Sequence, residues 1–361
     1  MSANLYIAIY YNLLLLIVAF LSISPISSNT VYKPYFRNES LALMLLLIVF
    51  LHITLRPLDP LFGDTRAYAF NFYNISLWGV SAGEGKDWGF QYLTYFISLF
   101  ANLVIYWMIL CALYVMPVFY AFKRNFPFQY SIALLLFICS FSFWGYGVNG
   151  LRNGIATSLI IYALMIPRKF PIQLLVMGIA FSFHSSVLLP IGMFFITKYI
   201  VNTRYYLIGW FLCLILSITA HSYFENLLAN FALFEEDDRL NAYLTSTVED
   251  TMATFSRAGF RWDFMLYSLI PIYLGYLYIY KYNYKDQLYL RLYNIYLGCN
   301  AFWLLVIYAP YSNRFAYLSW FLYPIVMAYP LLKSNLLNQQ GKKIQLMIFF
   351  NYLFTYLMWL R

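Results

Sequence analysis

The chain has 361 residues, of which 63% are hydrophobic, 22% aromatic and only 10% charged, where a soluble globular domain carries roughly 25% charged residues. That composition excludes a water-soluble fold. The 23 Lys and Arg exceed the 14 Asp and Glu, but the cations fall between apolar runs long enough to cross a bilayer. They therefore read as a topology signal and not as a nucleic-acid footprint.

In chain order the apolar runs predict about twelve helical spans, near 5–24, 41–55, 98–121, 129–146, 153–166, 171–184, 186–198, 205–222, 263–280, 291–308, 316–332 and 344–360. The expected fold class is an all-α polytopic integral membrane protein, with one transmembrane domain over 1–361. The first run lacks a charged n-region and a small-residue cleavage site, so it is expected to stay as a span. Several runs between 153 and 198 are short, and Pro167, Pro171 and Pro190 mark places where a helix would kink or break around a cavity. Cys111, Cys139, Cys213 and Cys299 all lie inside apolar runs without a CxxC pair, which points to neither a disulfide frame nor a zinc site.

Alternate loops hold Lys33, Arg37, Lys123, Arg124, Arg168, Lys169, Lys198, Arg204, Lys281, Lys285, Arg291, Lys333, Lys342 and Lys343, with only Glu39 and Asp286 as acids. The positive-inside rule makes that side cytoplasmic. The other side receives every remaining acid, one lysine (Lys86) and the arginines Arg56, Arg66, Arg152, Arg239, Arg257, Arg261, Arg314 and Arg361. Lysine suffices for topology, whereas the planar guanidinium suits carboxylates and phosphates held bidentately. An arginine-rich outer face is thus expected to meet an anionic ligand, the competing reading being snorkelling at helix ends. The outer side also has the large loops, near 56–89 and 222–263, and the many Tyr and Phe would serve as interfacial belts or as stacking surfaces for sugars.

Four constellations on that side carry candidate chemistry. In Gly63-Asp64-Thr65-Arg66, Asp64 either caps a helix or accepts a proton from a sugar hydroxyl, with Arg66 on a phosphate. Next, Arg152 stands between Gly150 and Gly154 at the mouth of a span, where flanking glycines and a helix start favour a bulky anion. In the third, His184 precedes Ser185 and Ser186; an imidazole there acts as acid, base or hydrogen-bond partner, or is simply bonded within the core. A Ser-His-Asp hydrolase is not supported, because no nucleophile-elbow glycines surround those serines. Finally, Arg314 in Ser312-Asn313-Arg314 opens another span, and Arg257 and Arg261, four apart, share a face if helical. The acidic run Glu235-Glu236-Asp237-Asp238 reads as a solvated loop before it reads as a cation site.

Taken in order, GDTRAY at 63–68, KDWGFQYL at 86–93, GLRNGIA at 150–156, FHSS at 183–186 and SNRFAYLSW at 312–320 resemble the EpsG-like family of bacterial polysaccharide polymerases, the Wzy class of O-antigen and capsule polymerases. The resemblance covers roughly residues 40–335. The family's arginine-rich outer loops correspond to 56–89 and 222–263, although no repeated arginine-loop signature is present in both. The resemblance implies a membrane glycosyltransferase of GT-C-like architecture in the bacterial inner membrane, acting at the periplasmic face. Its substrate would be an undecaprenyl-pyrophosphate-linked oligosaccharide, transferred with inversion, without cofactor, metal or nucleic acid. Membrane lipids, a flippase and a chain-length regulator are the implied partners. On this reading Arg152 and Arg314 stabilise the pyrophosphate, Arg66, Arg257 and Arg261 help to seat it, and Asp64 or His184 handles the acceptor hydroxyl. Three other classes compete. An O-antigen ligase shares the donor, a membrane O-acyltransferase would carry its catalytic pair nearer the first spans, and a flippase would bury cations along both halves.

Overall fold

A computed structural model describes residues 1–80, 87–166, 169–220, 223, 259–308 and 312–361, and these residues contain helices and turns but no strand. Three helices among them are long and apolar enough to cross a membrane, Ala3–Ile23, Leu103–Asn125 and Asn313–Lys333. Shorter apolar helices accompany them at Asn38–Thr54, Leu151–Met165, Phe170–Phe183, Ser185–Tyr199 and Thr203–Thr219. The protein is an integral membrane protein built from helices of unequal length. Twelve full-length spans are not what the described residues display, because the polar breaks shorten many of the helices.

The chain divides into two compact units, one of Met1–Leu188 with Ala328–Arg361 and one of Leu189–Met327. The first unit begins with α1 (Ala3–Ile23), α2 (Asn38–Thr54), α3 (Thr65–Trp78), α4 (Trp88–Ser98) and α5 (Leu103–Asn125). It continues with α6 (Tyr130–Ile138), α7 (Phe141–Val148), α8 (Leu151–Met165) and α9 (Phe170–Phe183). Local chemistry starts several of these helices. Ser2 Oγ accepts the Leu5 N–H at the start of α1, Asn102 Oδ1 accepts the Ile105 N–H at the start of α5 at 3.0 Å, and Pro171 occupies the first turn of α9, where its missing N–H costs nothing.

The run at 129–146, expected as one span, is two helices, α6 and α7, bent by 72°. Ser140 is the hinge, with extended backbone at φ −73° and ψ 147°. A break at this depth strands carbonyls that lipid cannot satisfy, and side chains answer three of them. The Phe137 carbonyl takes the Ser140 hydroxyl at 2.7 Å. The other two depend on the last helix, α16 (Gln340–Leu360). Asn351 Nδ2 donates to the Leu136 carbonyl at 3.1 Å and Thr355 Oγ1 to the Cys139 carbonyl at 2.8 Å.

The second unit holds α10 (Leu188–Tyr199) from Leu189 onward, α11 (Thr203–Thr219), α12 (Trp262–Tyr276), α13 (Gln287–Leu305), α14 (Asn313–Trp320) and the start of α15 (Tyr323–Lys333). Its centre is a buried polar node on Asn300 of α13. The Asn300 carbonyl oxygen accepts Trp210 Nε1–H at 2.8 Å, and its amide donates to Ser319 Oγ at 3.0 Å and Ser268 Oγ at 3.2 Å. Trp320 Nε1–H donates to the same Ser268 hydroxyl at 2.7 Å. One side chain thereby ties α11, α12, α13 and α14.

Some tyrosines serve the core of the second unit. Tyr289, Tyr293 and Tyr296 of α13 are fully buried, and their hydroxyls donate to the carbonyls of Val326, Ile272 and Ser268. Buried phenols need such partners, and helix carbonyls supply them here.

Thr355→Val is expected to lower stability by about 1–3 kcal/mol, because it leaves a buried carbonyl unanswered at the hinge. Thr219→Val should be nearly neutral, since that hydroxyl is exposed and only back-bonds the Ile215 carbonyl of its own helix. Thermal unfolding of both variants in detergent, followed by the loss of monodisperse protein, measures the difference.

Candidate functional site

The segment 56–89, expected as an outer loop, is partly structured. After Arg56 comes a single 3-10 turn, Pro60–Phe62, which Asp59 starts by accepting the Leu61 N–H on its carboxylate. Gly63 ends it at φ +58°, in the left-handed region that favours glycine. A side chain there would collide with Asn149, so glycine is required twice over. Asp64 follows at the N-cap position of α3, but its carboxylate makes no capping bond. Its backbone N–H donates instead to Asn149 Oδ1 at 3.0 Å, and the Tyr68 hydroxyl donates to the Asn149 carbonyl at 3.2 Å. Asn149 thus clamps the start of α3 to the turn that opens α8.

Arg152 stands in the first turn of α8. Its Nη1 donates to Asp87 Oδ2 at 2.6 Å, with 36% of the Arg152 side chain exposed and 7% of Asp87. Its guanidinium lies 5.9 Å from the centre of the Tyr68 ring, and Asp64 is within electrostatic reach. Gly154 lets the first turn of α8 pack against the end of α7, because a Cβ there would lie 2.7 Å from the Tyr146 carbonyl oxygen. Asp87 is itself unusual, being a non-glycine residue at φ 54° that starts α4 without capping it. Aspartate tolerates that conformation better than most residues, and its carboxylate is spent on Arg152. Asp87, the partner that holds Arg152, lies 65 residues away in sequence. In the sequence it shows only as an acid before the Trp88-Gly89-Phe90 run.

Arg56, which the sequence reading counts as one outward cation among several, is 4% exposed. Its Nε donates to Thr65 Oγ1 at 2.9 Å, Nη1 to the Ile53 carbonyl, and its guanidinium lies 4.0 Å from the Trp107 ring centre. Burial pulls its pKa down to about 10, which still leaves it charged at neutral pH. It binds the end of α2 to the start of α3. Arg66 is exposed, with Nε donating to the Leu58 carbonyl at 2.9 Å.

His184 caps a short 3-10 turn, Ser185–Val187. The Ser186 N–H donates to its Nδ1 at 3.2 Å, and Ser186 Oγ lies 2.8 Å from the same nitrogen. An acceptor Nδ1 places the proton of the neutral ring on Nε2. Asp64, Arg66, Arg152 and His184 all belong to the first unit, and Asp64, Arg66 and Arg152 are grouped with Asp87 around the α3 and α8 starts.

In the second unit Arg261 makes a two-pronged contact with Asp263, Nε to Oδ1 at 2.9 Å and Nη2 to Oδ2 at 2.8 Å, and stacks 3.7 Å from the Phe264 ring centre. Its fork is therefore occupied by a neighbouring carboxylate. Arg314 is exposed in the first turn of α14, and both arginines act electrostatically on the Tyr317 hydroxyl. Arg257 and the acidic run at 235–238 lie outside the described residues.

Asp87→Asn should cost about 1 kcal/mol of stability, because a half-buried cation loses its counter-charge. Arg152→Gln in addition to Asp87→Asn should recover part of that loss. Denaturant unfolding of the two single variants and the double variant measures the coupling, and additive losses would mean that the pair is not coupled.

Over residues 39–361 the sequence matches the EpsG family. No curated protein and no solved structure matches the chain.

Proposed function

Because the chain belongs to the EpsG family, a polymerase-type role in polysaccharide biosynthesis is established for it in general terms, and we propose a specific reaction within that role. The substrate is an oligosaccharide repeat unit linked to undecaprenyl pyrophosphate. The growing chain leaves its lipid carrier and is joined to the acceptor hydroxyl of an incoming lipid-linked unit, at the periplasmic face of the inner membrane. The protein would be a GT-C-like glycosyltransferase of about twelve spans, forming one transmembrane domain, with its periplasmic loops near 56–89 and 222–263.

The observation that carries this reading is Arg152. It stands at the start of α8, held by Asp87 through one nitrogen, while its remaining donors and the adjoining helix N-terminus suit an anion. A pyrophosphate leaving group gathers negative charge as the glycosidic bond breaks. Fixed donors that do not have to reorganise stabilise that charge best. The fork of Arg152, kept in place by Asp87, is such a donor, with Arg66 exposed nearby to seat the phosphates.

On this reading the acceptor hydroxyl gives its proton to Asp64 or His184 as it attacks the anomeric carbon, and the pyrophosphate departs on the opposite side. One displacement inverts the anomeric centre. Asp64 is favoured by its place beside Arg152. His184 would act through a base already engaged with Ser186. Arg314 would serve as a second pyrophosphate contact, with Arg257 and Arg261 assisting, although Arg261 would first have to share its fork with Asp263. A flippase and a chain-length regulator would be the protein's partners.

Arg152→Lys keeps the charge and removes the planar fork, so the rate of polymerisation should fall about a hundredfold and polymer chains should shorten. Unchanged polymer length would overturn the clamp. Purified protein given a defined undecaprenyl-pyrophosphate oligosaccharide should form a ladder of products that persists in chelator. A strict metal requirement would overturn the arginine mechanism, and a failure to form any ladder would overturn the polymerase reading.

A further inference from the structure

The far end of α8, the helix whose first turn carries Arg152, borders a second feature. A cleft of about 460 Å³ opens between α5 and α8, lined by Tyr120, Lys123 and Arg124 from the former and Tyr162 and Ile166 from the latter. The α5 residues are spaced three and four apart and share one helix face, as do Tyr162 and Ile166 on α8. Arg152 begins α8 and these residues end it, so the 15 residues of that helix place the cleft about 22 Å from the candidate site.

The lining of the cleft is complementary to a phosphate diester. Neither Lys123 nor Arg124 takes part in an ion pair among the described residues, and no carboxylate lines the opening. Lys123 lies over the Phe119 and Tyr130 rings, 6.0 and 5.9 Å from their centres. Those contacts hold its stem against the helix without neutralising it. The two phenols add hydroxyl donors beside the charges, and Ile166 supplies apolar wall. Asn125 braces the cleft by donating to the Ala121 carbonyl of its own helix at 2.8 Å and to the Met165 carbonyl of α8 at 3.1 Å. The walls are therefore fixed before any ligand arrives.

Position decides which phosphate. The cleft lies where α5, a helix long and apolar enough to cross the membrane, ends in its polar turn, at the depth of lipid headgroups. Tyrosine is favoured at that depth for its apolar body and polar tip. Cations in the last turn also complement the helix dipole, but that role needs no cavity and no facing tyrosine from a second helix. We propose that this cleft is a binding site for the headgroup of an anionic phospholipid. Arg124 takes the phosphate through its fork, Lys123 adds a point charge, and Tyr120 and Tyr162 bond to the glycerol and phosphate oxygens.

Native mass spectrometry of the full chain in detergent, with phosphatidylglycerol, phosphatidylcholine or inorganic phosphate added, tests this. Wild-type protein should retain phosphatidylglycerol in preference to phosphatidylcholine, and millimolar inorganic phosphate should not displace it. Lys123→Gln with Arg124→Gln should reduce retention about tenfold or more, in line with the contribution of each cation near a charged lipid surface. Lys342→Gln with Lys343→Gln removes the same charge from the exposed start of α16 and should leave retention unchanged. Tyr162→Phe, which keeps shape and apolar contact, should weaken retention with no change in the unfolding temperature. Equal loss in the two double variants would mean diffuse attraction and overturn the site. Displacement by inorganic phosphate would make it a soluble-phosphate site and overturn the lipid assignment.

Discussion

Inside an apolar environment every polar group must find its partner within the chain, because neither lipid nor packed hydrocarbon replaces the hydrogen bonds of water. The first unit meets this demand at the break between α6 and α7. Three carbonyls that a continuous helix would have used internally are taken up by the Ser140 hydroxyl, Asn351 and Thr355. The second unit meets it at Asn300, where one amide group serves two indoles and two hydroxyls directly or through Ser268. Tyrosines repeat the device by donating hydrogen bonds from their hydroxyls to helix carbonyls. These bonds favour one packing over alternatives that hydrophobicity alone would not separate, since lipid tails are as apolar as leucine.

The same rule explains the arginines. A guanidinium buried at 4% exposure is held at Arg56 by a hydroxyl, a carbonyl and an indole face, with only Nη2 lacking a hydrogen-bond partner in the chain. Arg152 is more open, and its neighbour is a carboxylate. The contrast divides their tasks. Arg56 fixes the path from α2 to α3 and so the position of Tyr68 and Asp64, whereas Arg152 keeps donors to offer. Asp87 pays for the arrangement with a left-handed backbone, the kind of local strain that accumulates where geometry matters more than stability.

Much of this was legible in the sequence, and some was not. The glycines flanking Arg152 were visible as places where the backbone comes close to something, and Arg152 as a charge at a helix mouth. The family was legible from five ordered motifs, and the match over 39–361 agrees with it. The Arg152–Asp87 pair was not, because partners 65 residues apart carry no periodic signal. The burial of Arg56 was hidden for a related reason: in sequence it looks like any cation after an apolar run. The broken span at Ser140 was missed because hydropathy sums over the run and is blind to a backbone hinge whose freed carbonyls are answered from α16, more than two hundred residues later.

Composition by itself determined the solvent and the fold class: a chain with so few charges can only be stable where its apolar helices meet lipid or each other, and periodic apolar runs have helices as their local solution. It also determined, through the side and type of its charges, that arginine is the cation to watch. Only the tertiary structure decided which arginine is sealed, which is held by a carboxylate and which is paired beside its own helix. The reason is physical. Charge and hydropathy are properties of single residues and survive in any conformation, whereas the fate of a guanidinium depends on which acceptors the folded chain brings within about 3 Å of it.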